Sequence, residues 1–312
     1  MNQNVDRKRI GIFIGFAYGI AWITGLVVYI LGGLTDSPTL PGTQISVGFL
    51  LIGTVYMASP ALANVFTRMI TREGWQDTYL RPRFRRGWLY WVICWIGPGL
   101  LTLVGAAVFF LLFPRFYDPS LQAIRELIRT NAERLGQAVP EIDPWMVVIS
   151  QVIQAFLIAP VLNALPTFGE EFGWRAYLQQ KLMPLGVRKT MLLMGVIWGV
   201  WHWPVIAMGY NYGFDYPGAP FTGLLMMVWF TFVVGTLFGW AVIKAGSVWP
   251  AVIGHGALNG IAALAGFFVQ GEPNPLLGPL PVGFIGSIGF ALVALMIFII
   301  PGSFKTPETQ PQ

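Results

Sequence analysis

Two adjacent glutamates and an arginine stand between long apolar runs in the stretch FGEEFGWRAYL, at Glu170, Glu171 and Arg175. Residues four apart share one face of a helix, so Glu171 and Arg175 can form an ion pair with the acid first, which is the favoured orientation. Glu170 lies about 100° further around such a helix and lacks this partner. The spacing predicts that Glu171 with Arg175 stabilises a site and that Glu170 takes part in chemistry there.

The two histidines of the chain, His202 and His255, lie in other apolar segments. Trp198 precedes His202 by four residues and Asn259 follows His255 by four, so each pair projects from one helix face. A single histidine of this kind, or the Glu-Arg pair alone, is also compatible with a purely structural role. Ionisable groups inside a membrane cost about 2.5–3.5 kcal/mol each, so the whole set favours an active site that handles water.

These groups suit amide hydrolysis, which needs an activated water and stabilisation of an oxyanion. Glu170 and His202 can polarise the water as general base. His255 and Asn259 can donate hydrogen bonds to the oxyanion, a role worth about 2.7–4 kcal/mol per donor. The competing mechanism is a catalytic zinc held by Glu170, His202 and His255. Because an HExxH motif is absent and an asparagine amide is a poor zinc ligand, we prefer no cofactor and keep zinc as the alternative.

The composition is that of a membrane protein. Of the 312 residues, 55% are hydrophobic and only 11% are charged, and the mean hydropathy is +0.64. Soluble domains carry about 25% charged residues. The net charge of +5 comes from basic residues clustered at helix ends, which indicates a cytoplasmic membrane face and not nucleic-acid binding. The lone Cys94 excludes an intrachain disulfide and is expected to be inert core.

We predict an all-α, polytopic membrane protein, with residues 1–312 forming a single transmembrane domain. A span needs about 20 apolar residues. Eight segments qualify, namely Ile10–Gly33, Ile45–Thr67, Gly87–Pro114, Pro144–Leu165, Thr190–Gly209, Phe221–Ile243, Val248–Val269 and Val282–Pro301. The fourth is expected to continue to about Lys181, with a kink at Pro166.

Lysine and arginine occupy every second connection, which predicts that both termini are cytoplasmic. The connections at residues 32–43, 210–220 and 271–281 hold neither and are predicted to be external. The charge-balanced external loop 115–143 contains PSLQAIRELIRTNAERL, whose apolar spacing predicts a surface helix. We also expect the Gly11, Gly15 and Gly19 stripe to pack against another helix.

The stretches EEFGWR, WGVWH and AGSVWPAVIGHGALN, in this order, resemble the three motifs of the CAAX protease and bacteriocin-processing (CPBP, or Abi) family of intramembrane endopeptidases. The family pattern is Glu-Glu-x-x-x-Arg, aromatic-x-x-x-His and His-x-x-x-Asn. Matched residue by residue, it falls on Glu170, Glu171, Arg175, Trp198, His202, His255 and Asn259. The resemblance covers roughly residues 160 to 262, within a family core at about 140–265. The family aromatic is often phenylalanine, so Trp198 bears on the shape of the pocket.

The resemblance implies hydrolysis of a peptide bond in a membrane-associated protein or peptide. Eukaryotic members trim the last three residues of prenylated CAAX proteins, bacterial members are linked to bacteriocin maturation or self-immunity, and the family is often described as metalloproteases. The alternative function is a transporter or an inactive scaffold that uses the same polar cluster as a proton relay or binding site. The expected partners are the substrate and the lipid bilayer, in the cell membrane. We expect the four site residues to line one cavity that opens towards the cytoplasm.

Overall fold

The computed structural model describes residues 5–305, and all regular elements in this range are helical, which confirms the all-α fold. The main helices are α1 (Arg7–Ile30), α2 (Val47–Ile70), α3 (Phe84–Leu112), α4 (Gln122–Arg134), α5 (Pro144–Leu157), α6 (Ala164–Gly173), α7 (Val187–Trp201), α8 (Phe221–Ala245), α9 (Trp249–Ile261) and α10 (Ile288–Ile299). Among the described residues, five segments are long and apolar enough to cross a membrane: α1, α2, α3, α8, and α9 extended to Phe268. The protein is therefore a multi-pass membrane protein.

The count of eight spans is not confirmed, because three of the predicted spans consist of shorter helices. The fourth breaks at Ile158 and Asn163, around Pro160, whereas Pro166 lies within the first turn of α6. A proline is tolerated there because a first-turn N–H needs no helical partner. The fifth breaks at His202, where a new short helix begins with a proline in its first turn. The eighth is helical only from Ile288.

Basic residues from distant parts of the sequence meet at one end of the bundle. Glu73 forms ion pairs with Arg9, at 3.2 Å, and with Lys181. Lys244 donates to the carbonyl of Lys305 at 2.7 Å. We call this the basic end; it comprises the start of α1, residues 71–86, 181–189 and 244–249, and the segment after α10. The opposite end carries the connections 31–46, 113–143, 210–220 and 269–287.

The surface helix in the loop 115–143 is confirmed as α4. Leu121 and Ile124 are fully buried and belong to an apolar cluster with Val148 of α5 and Leu264. Leu127 is exposed on the outer face. The amphipathic pattern thus docks α4 over the opposite end of the bundle.

The glycines that allow close helix packing are not those of the predicted stripe in the first span. A Cβ added at Gly11, Gly15 or Gly19 would meet no atom within 4 Å, so the prediction of packing at that stripe is wrong. At Gly173 of α6, by contrast, a Cβ would lie 2.3 Å from the carbonyl oxygen of Pro60 in α2. Because Gly173 has no side chain, the glutamate-bearing helix α6 can lie directly against α2.

Candidate active site

The helix α6 that carries both glutamates is fixed by hydrogen bonds from side chains on two sides. Asn64 of α2 donates its amide to the carbonyl of Phe172 at 2.9 Å. Thr167 donates its hydroxyl to the carbonyl of Val252 in α9 at 3.0 Å. Glu170 is 3% exposed and Glu171 is fully buried, so both carboxylates lie inside the protein.

A π-helical turn, Trp174–Leu178, follows directly after α6 and holds Arg175. Single π turns inside helices are frequent at functional sites. The Arg175 Nη1 donates to Glu171 Oε1 at 2.9 Å, which is the ion pair expected from the four-residue spacing. The guanidinium also lies 4.1 Å from the centre of the Trp198 ring, within the range of a cation–π interaction.

Glu171 has a second partner that the sequence did not reveal. His255 Nδ1 lies 2.9 Å from Glu171 Oε1, and a carboxylate oxygen accepts, so the ring nitrogen donates. The same oxygen therefore joins Arg175 to His255. Residues 171 and 255 are far apart in the chain and lie on different helices, so no local spacing could have indicated this contact.

Glu170 is held by a tryptophan. The indole Nε1 of Trp198 donates to Glu170 Oε2 at 2.8 Å, which leaves Oε1 available to another donor. We expected Trp198 mainly to pack or to shape the pocket, and the structure gives its ring a polar contact as well.

His202 lies where α7 ends. Its Nδ1 is 2.8 Å from the carbonyl oxygen of Trp198, and a carbonyl can only accept, so Nδ1 carries a proton. In a neutral ring the other nitrogen, Nε2, is then an acceptor. The helix α7 ends at Trp201, and His202 is its C-cap. A short helix with Pro204 in its first turn follows directly.

The four residues Glu170, His202, His255 and Asn259 line one cavity of about 250 Å3. The rest of its wall is largely apolar and aromatic, with contributions from Tyr56, Met57, Trp198, Trp201, Val205, Met227, Phe230 and Leu258. Polar groups in an apolar setting interact more strongly than in water, because the local dielectric constant is low. The arrangement brings one carboxylate, two imidazoles and a neutral amide to the wall of one cavity.

The cavity does not reach the end of the bundle that we expected. Its lining includes Tyr210, Asn211, Pro281 and Val282, from the connections at the end opposite the basic end, and no lysine or arginine. We expected an opening towards the cytoplasm, the side on which the charge pattern predicts the basic end to lie, and the lining residues instead place the cavity towards the opposite end of the bundle. No local signal marked these four lining residues, because loop packing brings them to the cavity.

The zinc alternative was tested against the side chains present. Within residues 5–305, no group of three His, Cys, Asp or Glu side chains is arranged to hold a metal ion. One oxygen of Glu170 accepts the Trp198 N–H, and Asn259 brings a neutral amide to the cavity. The described residues therefore do not fit a zinc site as they stand.

Comparison with known proteins identifies a family match in the second half of the chain. Residues 144–261 match the family model for the type II CAAX prenyl endopeptidases, Rce1-like, a segment that is less than half of the chain and carries all seven motif residues. This confirms the resemblance to the CPBP, or Abi, family. No curated protein matches the chain.

Proposed function

We propose that this relative of the Rce1-like endopeptidases is an intramembrane protease that hydrolyses a peptide bond in a membrane-associated protein or peptide. The observation that supports the proposal is the meeting of Glu170, His202, His255 and Asn259 in one otherwise apolar cavity. The four come from three separate segments of the chain, with His255 and Asn259 on one helix, so their meeting requires the tertiary fold. Their types are those that amide hydrolysis needs.

Glu170 and His202 activate the water in this proposal. Glu170 offers Oε1, since Oε2 already accepts the Trp198 N–H. His202 offers its Nε2 lone pair, since Nδ1 is bound to the Trp198 carbonyl. The water oxygen attacks the carbonyl carbon of the substrate while its proton passes to Glu170. The same proton is then given to the leaving amine as the carbon–nitrogen bond breaks, which restores the carboxylate.

His255 and Asn259 stabilise the oxyanion that forms in the attack. The amide of Asn259 donates without any change of protonation. His255 has its Nδ1–H held by Glu171 and would donate through Nε2, which must carry a proton at that step. Glu171, Arg175 and Trp198 act as positioning residues, because they orient His255 and Glu170. No step in this mechanism uses a metal ion.

Kinetics of variants with a matched control test these roles. Asn259→Ala should lower kcat by about 10²–10³-fold with little change in KM, because the lost donor acts mainly in the transition state. Asn211→Ala removes the same amide from the same cavity, at a residue without an assigned role, and should stay near wild-type kcat. The assay is cleavage of a library of membrane-partitioning peptides by purified protein, read by mass spectrometry. Equal kcat values for the two variants would contradict the oxyanion role.

A further inference from the structure

The carbonyl group of Trp201, at the end of α7, lacks the partner that a continuing helix would supply. In an α-helix this carbonyl accepts the N–H of the residue four positions later, which here is Val205. The Val205 N–H instead bonds to the carbonyl of His202, at 3.1 Å. Pro204, one residue earlier, has no N–H that could replace it. Because Trp201 is buried, its carbonyl group needs a donor from elsewhere in the fold.

Tyr56 of α2 supplies this donor. Its side chain is 1% exposed, and its hydroxyl donates a hydrogen bond to the Trp201 carbonyl. Tyr56 is the last residue of a π-helical turn, Ile52–Tyr56, whose two ends line the cavity. Single π turns inside helices are frequent at functional sites. Tyr56 thus caps α7 at the residue before His202, and it does so from a helix outside the matched residues 144–261.

The side chain of Trp201 is held by the same helix and contacts the histidine. Its indole Nε1 donates to the hydroxyl oxygen of Ser59 in α2 at 3.1 Å. Its ring centre lies 4.6 Å from that of Tyr56 and 4.7 Å from that of His202, and it is nearly perpendicular to the imidazole. The direction of the imidazole is therefore set by this ring together with the bond from Nδ1 to the Trp198 carbonyl.

We propose, on the basis of the proposed function, that Tyr56 is a positioning residue for His202. The bond from His202 to the Trp198 carbonyl fixes the imidazole only as firmly as the last turn of α7 is itself fixed. The Tyr56 hydroxyl fixes the carbonyl group of Trp201, directly before His202. The Nε2 lone pair is then held at the water that Glu170 deprotonates. A misplacement of about 1 Å in such a site can cost about 10²-fold in rate.

A second tyrosine of the chain provides a matched control for the variant Tyr56→Phe, which removes the hydroxyl and keeps the ring. Tyr18 of α1 also donates its hydroxyl to a carbonyl of α7, that of Ile197, at 2.6 Å. This carbonyl lies inside the helix, where the Trp201 N–H is its backbone partner, so Tyr18→Phe leaves it paired. Both variants lose one hydrogen bond to α7, but only Tyr56→Phe frees the carbonyl next to His202.

NMR of the imidazole rings measures the state of His202 without any need for hydrolysis. The chain has two histidines, so isotope-labelled histidine gives two sets of ring-nitrogen signals, and His255→Gln assigns them. In wild type and in Tyr18→Phe, His202 should be one tautomer with its proton on Nδ1. In Tyr56→Phe, a second tautomer with the proton on Nε2 should appear. An unchanged His202 spectrum in Tyr56→Phe would overturn the proposal, as would the same change in Tyr18→Phe.

Kinetics on the peptide library link the position of His202 to the rate. Well below the melting temperature of each variant, kcat of Tyr56→Phe should fall about 10–10²-fold with little change in KM, whereas Tyr18→Phe should stay near wild type. Equal kcat values in the two variants would overturn the proposal. Ser59→Ala, which frees the Trp201 ring but keeps the cap, is the second variant and should change the His202 signals in the same direction.

The two readouts separate this proposal from the proposed function. A second tautomer in Tyr56→Phe, with no cleavage of any peptide by wild type, would retain Tyr56 as the residue that holds His202 and contradict the protease function. Cleavage by wild type, with one unchanged tautomer in Tyr56→Phe, would retain the protease function and overturn the positioning role of Tyr56.

Discussion

Replacement of Glu171 should affect stability and activity through two different contacts. Glu171→Gln leaves Arg175 buried at 1% exposure without its counter-ion. Breaking a buried ion pair by removal of one partner costs about 3–5 kcal/mol. Glu170→Gln, one residue earlier on the same helix, removes no such partner, and its amide oxygen can still accept the Trp198 N–H. Thermal unfolding should therefore show a large loss for Glu171→Gln and little for Glu170→Gln.

The double variant Glu171→Gln/Arg175→Gln separates the two contacts. It leaves no unpaired charge, but it also loses the stacking of Arg175 on Trp198, worth up to about 2 kcal/mol. Subtracting this from the cost of the broken pair predicts a recovery of about 1–3 kcal/mol relative to Glu171→Gln. Activity should stay low in spite of this recovery, because His255 now faces a neutral amide, and charge-assisted hydrogen bonds are roughly twice as strong as neutral ones.

Melting temperature and peptide cleavage should be measured in parallel for all three variants. Together they show whether Glu171 stabilises the fold through Arg175 and positions His255. Equal stability of the two single variants would refute the structural role of the ion pair. Wild-type activity in the double variant would refute the positioning role of Glu171 on His255.

Three further predictions concern packing, pH and metals. Gly173→Ala should destabilise the protein by at least about 1–3 kcal/mol, because its Cβ would meet the backbone of Pro60, whereas Gly15→Ala, with nothing within 4 Å, should leave the melting temperature unchanged. The Asp118 carboxylate, outside the spans, accepts hydrogen bonds from the Ser120 hydroxyl and the Gln122 N–H, which lower its pKa. The contribution of Asp118 to stability is therefore present above the ordinary aspartate pKa and lost as the pH falls through the lowered pKa. Hydrogen exchange of α4 should rise in that range, and Asp118→Ala should abolish this pH dependence. Peptide cleavage should survive exhaustive treatment with EDTA and phenanthroline, and loss of cleavage that zinc restores would contradict the metal-free mechanism.

The parts of the site that could be predicted from the sequence are local in the chain. Glu171 and Arg175 are four residues apart, and the helical repeat alone brings them together. The amphipathic spacing of Leu121 and Ile124 likewise identified α4 and its buried face. The contacts of Glu171 with His255 and of Glu170 with Trp198 join different helices, and a single sequence contains no signal for such pairs.

Helix breaks and the direction of the cavity depend on packing that hydropathy does not describe. Pro160 and Pro166 are six residues apart in one apolar run, and hydropathy does not distinguish the proline next to the break from the one within a helix. The charge pattern located the basic end, but it did not reveal that Arg175 and Gln179 are buried, Arg175 stacked on Trp198 and Gln179 hydrogen-bonded to α8. Arg175 and Gln179 are buried packing residues. Composition alone does not distinguish a polar side chain that packs in the interior from one that lines a cavity.

Hydrolysis by wild type and by Glu170→Gln, measured on the same peptide library, tests most directly whether Glu170 is the base of an intramembrane protease. The control is Glu133→Gln, the same change at an exposed position of α4. Wild type and Glu133→Gln should cleave alike, and Glu170→Gln should lose about 10²–10⁴-fold in rate with an unchanged melting temperature. Full activity of folded Glu170→Gln, or no cleavage of any peptide by folded wild type, would contradict the proposed mechanism.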